Sequence, residues 1–300
     1  MAAEHKPKLA PLDDAFMRRL RTLSLSSRQA SRFALARGRH RSRSLGPGIE
    51  FADYREYSTG DDYRHVDWNA YARSERLLVR QHEQESELSV SVLLDCSGSM
   101  GAGDPPKLDY ALRLTAAIVQ IALQRLDRVT LAAVSDRVLA TLTPGRGVAG
   151  SSEVLAFLRG LTAQGVTQLA AASRAFCTRT KRRGLALLIS DLYDPAGVPA
   201  AIDVLRRARF EPRVIRIVDA GEASGLAPGE YELVDIETER TRRMAITPEV
   251  NAAYRAARAR EAFALRRACL ERSVPLHVIE TRATLEEVVL SKLRHAGLFR

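Results

Sequence analysis

The sequence predicts an α/β fold, a doubly wound and mostly parallel sheet with an N-terminal extension packed on it, and three observations support this. From residue 87 onward short apolar strands alternate with amphipathic helical segments, the order that lays helices over a parallel sheet. An apolar share of 46% over 300 residues is enough for one large core with an appended piece. A carboxylate and two hydroxyls, in Asp95-Cys96-Ser97-Gly98-Ser99-Met100, follow directly on one of the most apolar strands. That is the edge at which open α/β sheets bind ligands.

Three regions are expected. Residues 1–45 hold a disordered lead over 1–12, a short amphipathic helix near Asp13 to Leu25, and a basic segment. Residues 46–86 form a dense block of charges, tyrosines and the single tryptophan, Trp68. Within it Ser58 to Asp62 has turn chemistry, and Leu77 to Gln81 reads as a short strand able to extend a neighbouring sheet. The α/β domain fills 87–300. Its strands are Leu88–Leu94, Val129–Ser135, Val138–Leu142, Leu185–Ser190, Arg213–Val218, Tyr231–Glu237 and Leu276–Ile279. Its helices are Lys107–Leu126, Ser152–Leu161, Leu169–Thr180, Pro199–Arg209, Pro248–Ser273 and a closing Leu285–His295.

The formal charge of +10 is local. Nine arginines (Arg18, Arg19, Arg21, Arg28, Arg32, Arg37, Arg39, Arg41, Arg43) and no acid lie between residues 16 and 49, which leaves the body nearly neutral. Beyond the short helix only Phe33 is available to stack on a base, so a solvated connector is favoured over a nucleic-acid surface. No apolar run is long enough to span a membrane and no secretion signal opens the chain, so a cytoplasmic protein is expected. Cys96, Cys177 and Cys269 are odd in number and far apart, which points to reduced thiols rather than disulfides or a zinc site.

In the Asp95 loop Gly98 permits a tight turn that aims oxygens from alternate residues at one point. Hard oxygens at that spacing suit Mg²⁺, with Mn²⁺ as the alternative, far better than zinc. One loop cannot complete an octahedron. Two further donors are available on the same predicted edge, Thr167 in Gly165-Val166-Thr167-Gln168 and Asp191 at the end of Leu-Ala-Leu-Leu-Ile-Ser-Asp. The plain alternative is that Asp95 caps a helix and Ser97 and Ser99 serve a turn.

The arrangement resembles the metal-ion-dependent adhesion site of von Willebrand factor A domains. The resemblance implies a divalent ion held by Asp95, Ser97, Ser99, Thr167 and Asp191, with one position kept for an acidic side chain of a partner protein. Two departures stand out: Val166 and Leu192 occupy positions where that family often has glycine. The preceding block carries Arg55, Tyr57, Gly60, Asp61, Asp62, Arg64, Asp67, Trp68 and Arg73, in a Gly-Asp-Asp-x-Arg-x-x-Asp-Trp string. With the metal motif behind it, the chain over about residues 40 to 245 is similar to the bacterial domain of unknown function 58 family. That resemblance implies a partnership with a MoxR-type AAA+ ATPase in chaperone-like maturation of other proteins.

No catalytic residue is expected. The chain has no Walker A loop, no G-x-S-x-G elbow and no G-x-G-x-x-G after a strand, and Pro144 to Gly150 lacks the Lys-Ser/Thr ending of a phosphate loop. Two rival readings remain at this level. One is a metal-dependent hydrolase using Asp61, Asp62, His65 and Asp67 or the Asp95 loop. The other is a nucleic-acid-associated protein using Arg18 to Arg43. Against the hydrolase stands a scaffold in which Arg55, Arg64 and Arg73 pair with Asp61, Asp62 and Asp67 while Trp68, Tyr57 and Phe51 pack on the sheet.

Overall fold

The computed structural model describes residues 13–27, 50–58, 63, 66–83, 87–223 and 225–299. The expected disordered lead and the arginines from Arg28 to Arg43 lie outside the described residues. The chain forms two compact units, one of residues 1–29 with 87–300 and the other of residues 30–86. Among the described residues, 13–27 therefore belong with the α/β unit. Helix α1 (Asp14–Leu20), shorter than expected, buries Phe16 and Leu20, and Leu23 and Leu25 follow inside. Leu25 bridges to Phe299 and the Ser26 amide donates to the Leu298 carbonyl, so an apolar stripe legible in the sequence finds its cover at the far end of the chain.

The second unit holds strand β1 (Glu50–Glu56), helix α2 (Trp68–Ser74) and strand β2 (Leu78–Glu83). Here β2 does not extend the large sheet; it pairs antiparallel with β1. Strand β1 escaped prediction because Glu50, Asp53, Arg55 and Glu56 break up its apolar pattern.

The α/β unit is built on strands β3 (Ser89–Asp95), β4 (Arg128–Val134), β5 (Val138–Leu142), β6 (Leu185–Ser190) and β7 (Glu211–Val218). Between them run helices α3 (Lys107–Gln124), α4 (Ser151–Arg159), α5 (Leu169–Arg179) and α6 (Gly197–Arg207). A hairpin of β8 (Gly229–Val234) and β9 (Thr241–Ile246), helix α7 (Pro248–Glu271) and strand β10 (Leu276–Glu280) complete it. The six-stranded sheet has the order β10-β7-β6-β3-β4-β5, parallel throughout except for the β5 edge. This is the doubly wound, mostly parallel architecture expected. The chain enters at β3, builds outward through β4 and β5, then returns to the other side of β3 as β6, so the topological switch point lies between β3 and β6. Both strands are almost wholly buried, because both their faces are covered. Phe176, Leu188, Val198, Leu205, Phe210 and Leu265 share one core cluster joining β6 to helices α5, α6 and α7.

Two expected elements differ. The strand expected over 231–237 ends at Val234, and Glu237 falls in the turn before β9, a strand whose Arg242 and Arg243 hid its pattern. The closing helix is interrupted by a π-turn over Val288–Lys292. The wider turn turns both Val288 and Val289 inward, each fully buried.

His277 of β10 has a buried Nε2 without a hydrogen-bond partner among the described residues, and burial together with the Arg213 charge holds its pKa down at about 4. The unfolded chain takes up that proton near the ordinary 6.5. The unfolded state thus binds more protons in this window, and His277 contributes stability that is complete above 6.5 and lost as pH falls toward 4. In a pH series of thermal melts, His277→Gln is expected to flatten the decline between those values. An unaltered slope would refute the assignment.

Candidate metal centre

Strands β3 and β6 lie side by side in parallel, with Leu94 opposite Ile189, so Asp95 and the Ser190-Asp191 pair emerge together at the carboxyl edge. Asp95 Oδ1 accepts from the Ser97 amide at 2.9 Å, and its Oδ2 accepts from Ser190 Oγ at 2.5 Å. Past the turn, Ser97 Oγ and Ser99 Oγ stand 3.1 Å apart. Backbone bonds tie the Thr167 loop to this turn: the Gly98 amide donates to the Gly165 carbonyl at 2.9 Å and the Gln164 amide to the Cys96 carbonyl at 2.7 Å. Thr167 therefore sits on the same rim. All five predicted donors are buried, Thr167 being the most exposed at 6%.

Thr167 is already engaged. Its Oγ1 donates to Glu237 Oε1 at 2.6 Å and its amide to Glu237 Oε2 at 3.0 Å. Asp191 is engaged too, because Lys107 Nζ donates to its Oδ2 at 2.7 Å with both side chains inaccessible to solvent. Lys107 also donates to Glu222 at 3.2 Å, and Arg258 reaches the other Glu222 oxygen at 2.6 Å. Tyr193 lies under both cations, its ring centroid 4.2 Å from Lys107 Nζ and 4.9 Å from the Arg258 guanidinium. Arg216 closes the cluster by donating Nε to the Asp191 carbonyl.

These charges set the electrostatics of the rim. Burial, and then the nearby Asp191 charge, hold the Asp95 carboxyl well above the usual carboxylate range. Glu222 goes the other way: burial works against its charge, but Lys107 and Arg258 hold its pKa below the ordinary value. Burial and then the Asp95 charge push the Cys96 thiol up, so it stays protonated, and none of the three cysteines forms a disulfide.

The donor set fits a hard divalent cation. It offers two buried carboxylates, one of them reluctant to ionise unless a positive charge arrives, and hydroxyls facing each other across a tight turn. Among the described residues no three His, Cys, Asp or Glu side chains cluster as a metal site, so a cation here would rest largely on Ser97, Ser99 and Thr167 hydroxyls.

The two glycine departures have different solutions. Leu192 takes the left-handed conformation that glycine would adopt, φ 62°, and is 3% exposed within the core cluster. Strain of about 1–2 kcal/mol is offset by burying a leucine side chain, about 1.5–3 kcal/mol. At the other loop the left-handed residue is Gly165, φ 78°, one position earlier, which leaves Val166 free to sit at the surface.

Sequence reasoning missed the Lys107–Asp191–Glu222–Arg258 cluster and Glu237. One signal was available for the first. Lys107 opens a long apolar helix at its positive end, where a lysine is disfavoured unless carboxylates face it. Glu237 had none, being one acid in an exposed hairpin turn.

In the second unit Asp67 caps α2, its Oδ1 accepting from the Asn69 and Ala70 amides, while its Oδ2 accepts from Tyr54 at 2.7 Å. These bonds give it a structural task. Arg73 donates Nε to the Asn69 carbonyl on its own helix. Trp68 is 59% exposed with Tyr71 edge-on at 6.2 Å, while Ala70 is the buried residue of α2. Tyr57 is half-buried. Gly60, Asp61, Asp62, Arg64 and His65 lie outside the described residues, as do the side chains of Phe51 and Arg55. Among the described residues no helix is long and apolar enough to cross a membrane.

The family described as "Protein of unknown function DUF58" matches residues 53–264. Two relatives are the uncharacterized proteins Rv1480 of Mycobacterium tuberculosis and Mb1516 of Mycobacterium bovis. Each is 30% identical over 237 residues, 76% of this chain and 73% of the relative. Among solved structures, the conserved hypothetical protein BatB from Bacteroides thetaiotaomicron is similar at 14% identity and a TM-score of 0.42, over 70% of this chain and 98% of that one. An aerotolerance-related membrane protein from Bacteroides fragilis, solved with multiple mutations to serines, is similar at 17% identity and a TM-score of 0.38, over 69% and 99%.

Proposed function

Taking as premise that this chain belongs to the DUF58 family, we propose that it is a non-enzymatic, Mg²⁺-dependent protein-binding module acting in the cytoplasm. The observation that carries the reading is the pair of buried serine hydroxyls, 3.1 Å apart, beside two buried carboxylates at the β3–β6 switch point. Asp95, Ser97, Ser99, Thr167 and Asp191 would hold the ion, Mg²⁺ or Mn²⁺. Bound there, it would supply a positive centre with few direct anionic donors, which attracts a carboxylate from a partner without any bond being broken. The protein's own residues orient the rim. Ser190 and the Ser97 amide hold Asp95 in place, Gly98 brings the two serines to one side, and the Gly165 carbonyl ties the Thr167 loop down. The partner class is an acidic surface of another protein, and the family resemblance favours a MoxR-type AAA+ ATPase in a chaperone-like maturation system.

The test compares the full chain with Asp95→Asn, an isostere that removes charge from a group already reluctant to ionise. Wild type is expected to melt higher in millimolar Mg²⁺ than in EDTA, and Asp95→Asn to fold but lose that response. Affinity capture from source-cell lysate, with and without EDTA, is the second arm. A variant that keeps the full Mg²⁺ response, or capture indifferent to both EDTA and the substitution, would overturn the proposal.

A further inference from the structure

The Thr167 side of the rim carries an occupant that the five-donor reading does not include. Glu237 arrives from a different part of the chain, in the turn joining β8 to β9. Its two oxygens take both the Thr167 hydroxyl and the Thr167 amide, at 2.6 and 3.0 Å. These bonds go to a neutral hydroxyl and an amide rather than to a cation, leaving a half-buried carboxylate facing the rim. The backbone follows the side chain. A Cβ at Gly98 would lie 3.0 Å from the Ile236 carbonyl oxygen and 3.6 Å from Glu237 Cα, so the turn rests directly on the Asp95 loop. Gly98 is thus required for this close approach as well as for the loop's own turn.

The hairpin that delivers Glu237 stands apart from the six-stranded sheet. Among the described residues it forms its own two-stranded sheet, joined to no third strand, and its strands are exposed or partly exposed apart from Ile246 near the base. An isolated two-stranded hairpin is marginal in water, so contacts at its two ends decide whether it stays seated. At the base, Asn251 exchanges hydrogen bonds with the Leu226 backbone. The turn itself is prearranged, with Asp235 Oδ1 accepting from the Glu237 and Thr238 amides at 2.9 Å each. Seating it on Thr167 therefore orders few additional dihedrals, and releasing it breaks the two Thr167 hydrogen bonds and ends the close approach at Gly98.

We propose that Glu237 is a resident acidic ligand of the rim and that the hairpin turn is a plug, holding the place an acidic side chain of a partner protein takes when the hairpin lifts. This rests on the binding-module reading above and adds its regulation. A partner carboxylate meets a site open for only part of the time, and its apparent affinity is reduced by that fraction.

The test uses the full chain as wild type, Glu237→Gln and Glu237→Ala, with two readouts. The first needs no metal. Hydrogen exchange of the Thr167 amide and of the 229–246 backbone is expected to speed up about tenfold in both variants, as a pinned hairpin is released. The second uses Mn²⁺ as the metal probe and the blocked peptide Gly-Gly-Glu-Gly-Gly as the carboxylate probe, with its Gln counterpart as control. Mn²⁺-loaded variants are expected to bind the Glu peptide about tenfold more tightly than wild type, because the competent fraction rises. Unchanged exchange overturns the plug, and so does faster exchange with unchanged peptide affinity in Mn²⁺-loaded protein. Failure of wild type and both variants alike to bind Mn²⁺ overturns the binding-module reading instead, and the plug is then decided by exchange alone.

Discussion

Replacing Lys107 with Met is expected to cost the metal-free protein about 3–5 kcal/mol, the usual loss when one partner of a buried ion pair is removed. The ammonium is 2.7 Å from Asp191 with both side chains out of contact with water, and it also serves Glu222. Met fills nearly the same volume, so the loss is electrostatic: Asp191 keeps its burial and loses its cation. For a domain of this size the melting temperature should fall on the order of 10 °C. Asp191→Asn should cost less, because Lys107 then still holds Glu222. A further consequence separates this from simple loss of packing. Without the ammonium, Asp95 and Asp191 face an arriving divalent ion with Arg216 as the cation left beside Asp191, so Mn²⁺ should stabilise Lys107→Met more than it stabilises wild type. Equal metal-free melting temperatures would refute the buried-pair account, and a smaller Mn²⁺ response in the variant would remove Asp191 from the ion's donor set.

Phe176→Ala should be as severe, about 3–5 kcal/mol, by creating a cavity in the core rather than by exposing charge. Phe176 is fully buried and its ring lies 5.7 Å from that of Phe210, within the cluster shared by β6 and helices α5, α6 and α7. Well-packed neighbours on several elements cannot all collapse into the space left behind. Helix α5 begins two residues after Thr167, so its loosening should also speed exchange of the Thr167 amide. Denaturant melts should show a lower midpoint with an unchanged slope. Phe263→Ala is the control: that side chain is 70% exposed on α7 and should change stability by less than about 0.5 kcal/mol. A loss at Phe176 no larger than at Phe263 would show that this cluster does not carry the fold.

The strands that end at the rim were legible because they are buried on both faces, and an apolar run such as Leu185–Ser190 needs no partner to be recognised. The Asp-x-Ser-x-Ser loop was legible because its oxygens are neighbours in sequence, so local turn geometry already brings Ser97 and Ser99 together. Strand β1 and strand β9 were not, since the charges in their sequences dilute a period of two. The departure at Leu192 was visible as a residue, yet its left-handed backbone and buried side chain emerge only when the core closes around it.

By itself the sequence determined the sheet's class, its carboxyl-edge loops and the residue types able to hold a hard cation, because these depend on periodicity and on groups a few positions apart. Only the tertiary structure decided which charges meet them. Lys107 reaches Asp191 across 84 positions and Glu237 reaches Thr167 across 70. No local pattern encodes such pairings, since they arise when chain topology carries separate loops to one edge, where burial then makes each charge choose a partner.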